Sequence, residues 1–404
     1  MLPRYFLCAI WLYLLPLSSA LAIEKRSTSH KITRVPNDNF TGRSGRLAVR
    51  KTLQKYDMLP DEPVASPCRR RVARRAAGKT AAVEAVPTTD DVQYLSPVTI
   101  GDQTLNLAFD TGSSDLWVFS TLLDSKSQDG HDVYDPDASK TYSAIQGSTF
   151  DIRYGDKSGA SGIVGTDTVN VGGIAKQQAI EVATQVSTQF AADKSNSGLL
   201  GLGFSKLNKV KPQRQATFFE NIMPDLPEPV FTVDLRKNTT GTIEFGAIDR
   251  SRFQGDMQWA QVNPTKGYWQ VGSESFAVGD GPVIPATSGG QAVIDTGTTI
   301  ILADPAIVEG YYSQVQGARK DDEEGGYVFP CVQDMPDLSL AIGTSMARVA
   351  GEDLRYEDLG NGNCYGGLQP SPHRGLGVYG DIFFQSQFVA FNGGNMSIGI
   401  APHA

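Results

Sequence analysis

The chain has 404 residues, of which 40% are hydrophobic and 20% charged, with a formal net charge of −8. That length accommodates two domain-sized cores plus processing segments, and the composition is that of an ordinary globular protein, not of a disordered or fibrous one. Residues 1–75 carry 15 Lys/Arg against 5 Asp/Glu while residues 76–404 carry 21 against 39, so a basic leader precedes an acidic body and reads as an electrostatic latch, not a nucleic-acid grip.

In chain order, residues 1–22 read as a secretory signal. Arg4 supplies the positive start, Phe6 to Leu17 is apolar, and Ala20-Leu21-Ala22 is a small-x-small cleavage site. The apolar run is shorter than the roughly 20 residues of a membrane span, and Pro16 interrupts it. A basic pro-segment is expected over 23–75. Within it, Leu47, Leu53 and Tyr56 mark one face of a short basic helix that Pro60, Pro63 and Pro67 terminate. The basic runs Arg69-Arg70-Arg71 and Arg74-Arg75 then suit a dibasic processing protease, placing the mature start near Ala76.

From Tyr94 onward the pattern is mainly β. Leu95 to Ile100 runs into a Gly101-Asp102 turn, and Leu105 to Phe109 alternates with period two. Further strands are expected at Thr149 to Tyr154, Gly162 to Val171, Val230 to Leu235, Gly241 to Phe245 and Tyr268 to Val271. Helices are expected at Thr217 to Met223, Pro305 to Gln316 and Asp381 to Gln387. Of four cysteines, Cys8 and Cys68 fall in the leader. That leaves Cys331 and Cys364 in a chain bound for an oxidising compartment, where a bridge contributes about 3–4 kcal/mol in the chain-entropy model. No metal motif is present, and no cofactor is expected.

The informative feature is an internal repeat. Ala108-Phe109-Asp110-Thr111-Gly112-Ser113-Ser114 recurs 185 residues later as Val293-Ile294-Asp295-Thr296-Gly297-Thr298-Thr299. Each copy is followed by an apolar-apolar-Gly element: Leu199-Leu200-Gly201 after the first, Val378-Tyr379-Gly380 after the second. A period this long indicates two related lobes, expected at 76–258 and 259–404, each with one loop carrying a carboxylate.

A single Asp-Thr-Gly is a common solvent turn. Two copies, each after an apolar strand and each heading a duplicated half, point to chemistry. Hydrolysis of a peptide bond by water needs a base to take a proton and an acid to give one. Two carboxyls a few ångströms apart cannot both ionise cheaply, so they share a proton and supply both functions. Gly112 and Gly297 let the backbone pass close and offer amide donors. The hydroxyls of Thr111, Thr296, Ser113 and Thr298 are available to hold the loops. The rivals fare worse. A serine or metallohydrolase is poorly served by four scattered histidines, and a binding protein derived from such an enzyme usually shows a damaged motif.

These motifs resemble the pepsin family, and most closely its secreted fungal members of the aspergillopepsin and penicillopepsin type, over nearly the whole chain. The resemblance implies a bilobal acid-protease fold, mainly β, with a central cleft, a flap hairpin and Asp110 and Asp295 meeting at the cleft floor. It implies an acid-active aspartic endopeptidase that uses no cofactor and cuts protein and peptide substrates, is blocked by pepstatin-type inhibitors and by its own propeptide, and works as a monomer. Ile152-Arg153-Tyr154-Gly155-Asp156 matches the flap, with Tyr154 closing over substrate, Gly155 and Asp156 bonding its backbone, and Trp117 holding Tyr154 through its indole N–H. Thr298, Thr299 and Ile300 would line the cleft from the other lobe, and Cys331 and Cys364 match the second-lobe disulfide. Tyr379 is bulkier than the aliphatic residue usual there.

Lys157-Ser158-Gly159 departs from the fungal pattern of a Gly before the Ser. Its cation beside Asp156 favours large hydrophobic residues over Lys at P1. Lys55-Tyr56 resembles the pair that blocks the aspartates in zymogens of the family, the ammonium losing its hold when the carboxylates protonate. Asn238, Asn395 and, in the leader, Asn39 head sequons and are candidate glycosylation sites.

Overall fold

A computed structural model describes residues 30–36, 44–58, 94–153, 159–194, 196–237 and 240–404. The expected signal cleavage site, the dibasic processing region, Cys8, Cys68, Asn39, Asn238 and the flap tip with Tyr154, Gly155 and Asp156 lie outside the described residues.

Strands dominate, as the short alternating runs predict. Tyr94–Ile100 and Gln103–Asp110 form a hairpin across the Gly101 turn, where φ is +61° and a side chain would be strained. Ser143–Arg153 pairs antiparallel with Gly159–Val171, and the latter with Ile174–Val186. The helices are short. Thr217 caps Phe218–Ile222 in a capping box with Glu220, and Asp304 caps Pro305–Tyr312, which has Pro at its first turn. That helix stops at Tyr312, four residues before the expected Gln316. The expected strand at Tyr268 begins only at Gln270, because Gly267 takes φ +87° and Tyr268 faces away to the leader helix. Among the described residues no helix is long and apolar enough to cross a membrane.

The duplicated motifs fold into duplicated topology. Gln103–Asp110 runs parallel to Gly198–Gly201, which pairs antiparallel with Leu116–Val118. In the second half Gln291–Ile294 runs parallel to Leu376–Tyr379, which pairs antiparallel with Ile301–Ala303. Each apolar-apolar-Gly element thus threads behind an Asp-bearing loop. The glycines are required there: a Cβ on Gly201 would lie 2.6 Å from Ser114, and one on Gly380 would lie 2.3 Å from the Thr298 carbonyl oxygen.

The halves also share a sheet. Val230–Asp234 is flanked by Gly241–Phe245 and by Gln387–Asn392, which continues through Ser397–Pro402 to Gln258–Gln261. The leader enters this sheet through His30–Pro36, a strand between Gly241–Phe245 and Tyr94–Leu95. Lys31 anchors it to Asp249 at 2.8 Å and Glu244 at 3.4 Å. One continuous core, including Phe109, Phe231, Trp269, Ile294 and Phe391, spans both halves, and the Trp269 indole donates to the Leu202 carbonyl at 2.8 Å. Cys331 and Cys364 are bridged, with an S–S distance of 2.03 Å.

Candidate active site

Asp110 closes its strand and Asp295 follows directly on Gln291–Ile294, so the sheet delivers both carboxylates to the loops between the halves. The two loops clasp each other. Thr111 Oγ1 donates to the Ile294 carbonyl at 2.9 Å and accepts from the Thr296 amide at 3.0 Å. Reciprocally, Thr296 Oγ1 donates to the Phe109 carbonyl at 2.8 Å and accepts from the Thr111 amide at 3.1 Å. Both threonines are buried, so these bonds form away from competing water.

Each carboxylate is held in the same way. Gly112 N–H donates to Asp110 Oδ1 at 2.8 Å and Ser113 Oγ to Oδ2 at 2.6 Å. Gly297 N–H donates to Asp295 Oδ1 at 2.9 Å and Thr298 Oγ1 to Oδ2 at 2.5 Å. A Cβ on Gly112 would lie 2.4 Å from Asp295 Oδ1, and one on Gly297 would lie 2.2 Å from Asp110 Oδ1. Each glycine therefore sits against the opposite acid, and no other residue fits. The six residues expected to support the pair, Thr111, Gly112, Ser113, Thr296, Gly297 and Thr298, all make these loop contacts.

The leader helix Gly45–Lys55 ends on this pair. Lys55 Nζ donates to Asp110 Oδ1 at 2.7 Å and to Asp295 Oδ2 and Oδ1 at 2.9 and 3.0 Å. Burial works against its charge, but the two carboxylates more than offset this and hold its pKa above the ordinary lysine value. Tyr56 follows, with its ring 5.0 Å from that of Tyr268 and its hydroxyl beside Gly112. Met58 is buried at the end of the turn against Ser371. The expected apolar face of this helix is corrected at Leu47, which is 57% exposed. The helix instead turns Gly45, Thr52 and Gln54 inward, packing Ala48, Val49 and Leu53 on the core. Leu47 shares a face with Arg50 and Lys51, whose charges keep that side in water.

The two acids are electrostatically unlike. Burial raises the pKa of Asp110, with Asp295 adding and Lys55 opposing. Burial also acts to raise Asp295, but Lys55 and the hydrogen bonds from Asp110 and Thr298 outweigh it and leave its pKa below the ordinary value. Both directions hold with Lys55 on the pair; two buried carboxyls this close can share one proton and so supply both an acid and a base.

Other expected residues fall as follows. Trp117 is buried beneath the Ser143–Arg153 hairpin, and its indole nitrogen has no hydrogen-bond partner among the described residues. Thr298 is buried and Thr299 half-buried by the Asp295 loop, and Ile300 is fully buried with the leader helix in place, its carbonyl accepting from Gly380 N–H at 3.1 Å at the start of Ile301–Ala303. Tyr379 meets the bulk expected of it with a specific contact, its hydroxyl lying 2.7 Å from Ser273 Oγ. Its carbonyl accepts from the Asp295 amide at 3.0 Å. Asn395 is exposed in the turn before the last strand.

Sequence reasoning missed the leader strand, Tyr268, and a buried carboxyl pair behind the first loop. There Asn208 Nδ2 donates to Asp115 Oδ1 at 2.9 Å and to Glu181 Oε1 at 3.0 Å. The β-branched residues Ile32, Thr33 and Val35 were a signal for the strand. An Asp one residue beyond the hydroxyl pair carried none for its partner in a strand 66 residues later.

The family profile described as "Eukaryotic aspartyl protease" matches residues 93–403. The chain is 45% identical over 332 residues to penicillopepsin-1 of Penicillium rubens, covering 81% of this chain and 83% of that protein. It is 46% identical over 321 residues to aspergillopepsin-1 of Aspergillus flavus, covering 79% and 78%. To an aspergillopepsin-1 of Aspergillus oryzae it is 39% identical over 400 residues, covering 98% of each. The paired Asp-Thr-Gly loops and these likenesses agree: the chain belongs to the eukaryotic aspartyl proteases and is an aspartic endopeptidase of the pepsin family.

Proposed function

We propose that this enzyme is secreted as an inactive precursor and, at acidic pH, cuts internal peptide bonds flanked by large hydrophobic residues, with Asp110 and Asp295 as its catalytic pair. The observation that carries this reading is the Lys55 ammonium within 3.0 Å of both carboxylates, on a helix that lies in the way of substrate. A cation in that place satisfies both charges and leaves no room for a scissile bond.

In the working enzyme the pair holds one proton. The ionised carboxylate takes a proton from water as it attacks the carbonyl, and the protonated one donates to the carbonyl oxygen, giving a gem-diol with no covalent adduct. The proton then passes to the leaving nitrogen. Thr111 and Thr296 fix the separation of the loops, while Gly112, Ser113, Gly297 and Thr298 orient the acids. Tyr154, with Gly155 and Asp156, closes over the substrate and excludes water, and Trp117 offers its indole N–H to Tyr154. A statine hydroxyl takes the place of the attacking water in pepstatin-type inhibitors. Lys157 beside Asp156 disfavours Lys at P1.

The domain scheme is a signal over 1–22, a propeptide over 23–75, lobes over 76–258 and 259–404, and maturation near Ala76. The mature protein acts as a monomer outside the cell, with Asn238 and Asn395 as its sequons. The test is to acidify the purified precursor and assay denatured haemoglobin at pH 3 to 5, with and without pepstatin. Pepstatin-sensitive cleavage that appears only after acidification is expected. Equal activity before and after acid treatment rules out the zymogen.

A further inference from the structure

The leader helix has a second footprint, remote from the carboxylates. Its first residue, Gly45, is buried, and its N–H donates to Glu357 Oε2 at 2.7 Å. A Cβ there would lie 2.0 Å from the Tyr365 ring, so the helix start rests directly on that face. Next to it, the Arg46 guanidinium donates to the Glu323 carbonyl at 3.3 Å, and its stem lies 3.9 Å from the space over Gly325. This seats Arg46 on an acidic turn, Asp321-Asp322-Glu323-Glu324. The Tyr365 phenol feels the charges of Glu357, Glu324 and Arg46 together.

We propose that this seat, once the leader has left, is a distal subsite of the cleft that takes a Lys or Arg side chain of an extended substrate. The proposal rests on reading the leader as a removable propeptide and Asp110 and Asp295 as the catalytic pair. Reach fixes the substrate position concerned. Gly45 and Lys55 are ten residues apart on a helix, about 15 Å at a rise of about 1.5 Å per residue. An extended peptide covers that distance in about four or five residues at roughly 3.3 Å each. The basic side chain is therefore the fourth or fifth from the scissile bond.

Chemistry fixes its type. The Glu357 carboxylate and the Glu323 carbonyl accept hydrogen bonds, the turn adds negative charge, and the Tyr365 face takes an aliphatic stem or a guanidinium plane. An acidic side chain at the same place meets like charge.

The experiment uses the mature enzyme at pH 5 and peptides that differ only in Lys or Glu at the fourth and fifth positions, on either flank. On one flank kcat/KM for Lys exceeds that for Glu by about threefold to tenfold, mainly through KM, the size expected of a partly exposed pair. Glu357→Gln shrinks this ratio to less than about twofold, and Glu324→Lys, which reverses a charge of the turn, lowers it as well. A Lys-to-Glu ratio near one on both flanks, or one that neither variant changes, overturns the subsite. A short peptide with two residues on each side does not reach Glu357 and separates the two readings. If it is cleaved while the ratio stays near one, only the subsite fails. If neither it nor any of the longer peptides is cleaved, the catalytic pair fails and the subsite with it.

Discussion

Thr111 and Thr296 exchange hydrogen bonds reciprocally: each hydroxyl donates to the carbonyl before the other loop's aspartate and accepts the other threonine's amide. The clasp sets how far apart the two carboxylates stand. Replacing either threonine by Val keeps the shape but strands a buried amide and a carbonyl, at a cost of about 1–3 kcal/mol. Thermal unfolding should show a lowered Tm for Thr111→Val and for Thr296→Val. The double variant should lose less than the sum, because the two share one network. Thr→Ser at either site should recover most of the loss; additive losses would mean the clasp is not a unit.

Lys55 and protons compete for the same two carboxylates. Its charge opposes protonation of both acids, so its hold is full at neutral pH and fades as pH falls. Release starts as the coupled pair takes up its first proton and completes with the second. Lys55→Ala removes the cation from a buried pair, a loss of about 3 kcal/mol or roughly 100-fold in helix occupancy. Peptide hydrolysis by the uncleaved precursor at pH 6 should then rise at least about tenfold over wild type. Unchanged latency with an unchanged acid transition would count against the latch.

Gly45→Ala tests the far end of the same helix. The added methyl would meet the Tyr365 ring at 2.0 Å, in a part of the core that cannot yield cheaply. The Glu357 contact is lost with it. The precursor should become leaky at neutral pH although alanine is the better helix former. A precursor that stays as latent as wild type would show that the helix start is not seated there.

Asp115 and Glu181 form a buried carboxyl pair that should shape the pH dependence of stability. Burial pushes Asp115 up to about 6 from 3.8, and burial together with Asp115 pushes Glu181 up as well. A group whose folded pKa is raised contributes stability that is complete below its unfolded value and is lost as pH rises through the folded value. The loss should therefore run from about pH 4 to above pH 6, and is of order 2–3 kcal/mol for a shift of this size. Tm measured at pH 4 and pH 7 should differ less in Glu181→Gln than in wild type. An equal difference in both proteins would remove the pair from the account.

What the sequence made legible was whatever is written locally or twice. The Asp-Thr-Gly loops, their crossing strands and the Thr217 and Asp304 helix starts each need only a few adjacent residues, and the repeat doubled the signal. The Lys55 contact was readable through family resemblance alone, since nothing in a basic helix says which acids it meets. Leu47 misled because an apolar residue on a short helix need not face inward when its neighbours are Arg50 and Lys51. The partners of Gly45, Asp115 and Tyr379 lie 312, 66 and 106 residues away, so only the fold brings them together.

Asp110 and Asp295 as one proton-sharing pair is the claim on which the rest stands. The direct measurement is kcat/KM against pH for acid-activated wild type, Asp110→Asn and Asp295→Asn on one hydrophobic peptide. The account predicts an acidic maximum for wild type and a loss of at least about 1000-fold in each variant, with Tm retained. A variant that keeps even a tenth of the wild-type rate at that maximum would contradict it.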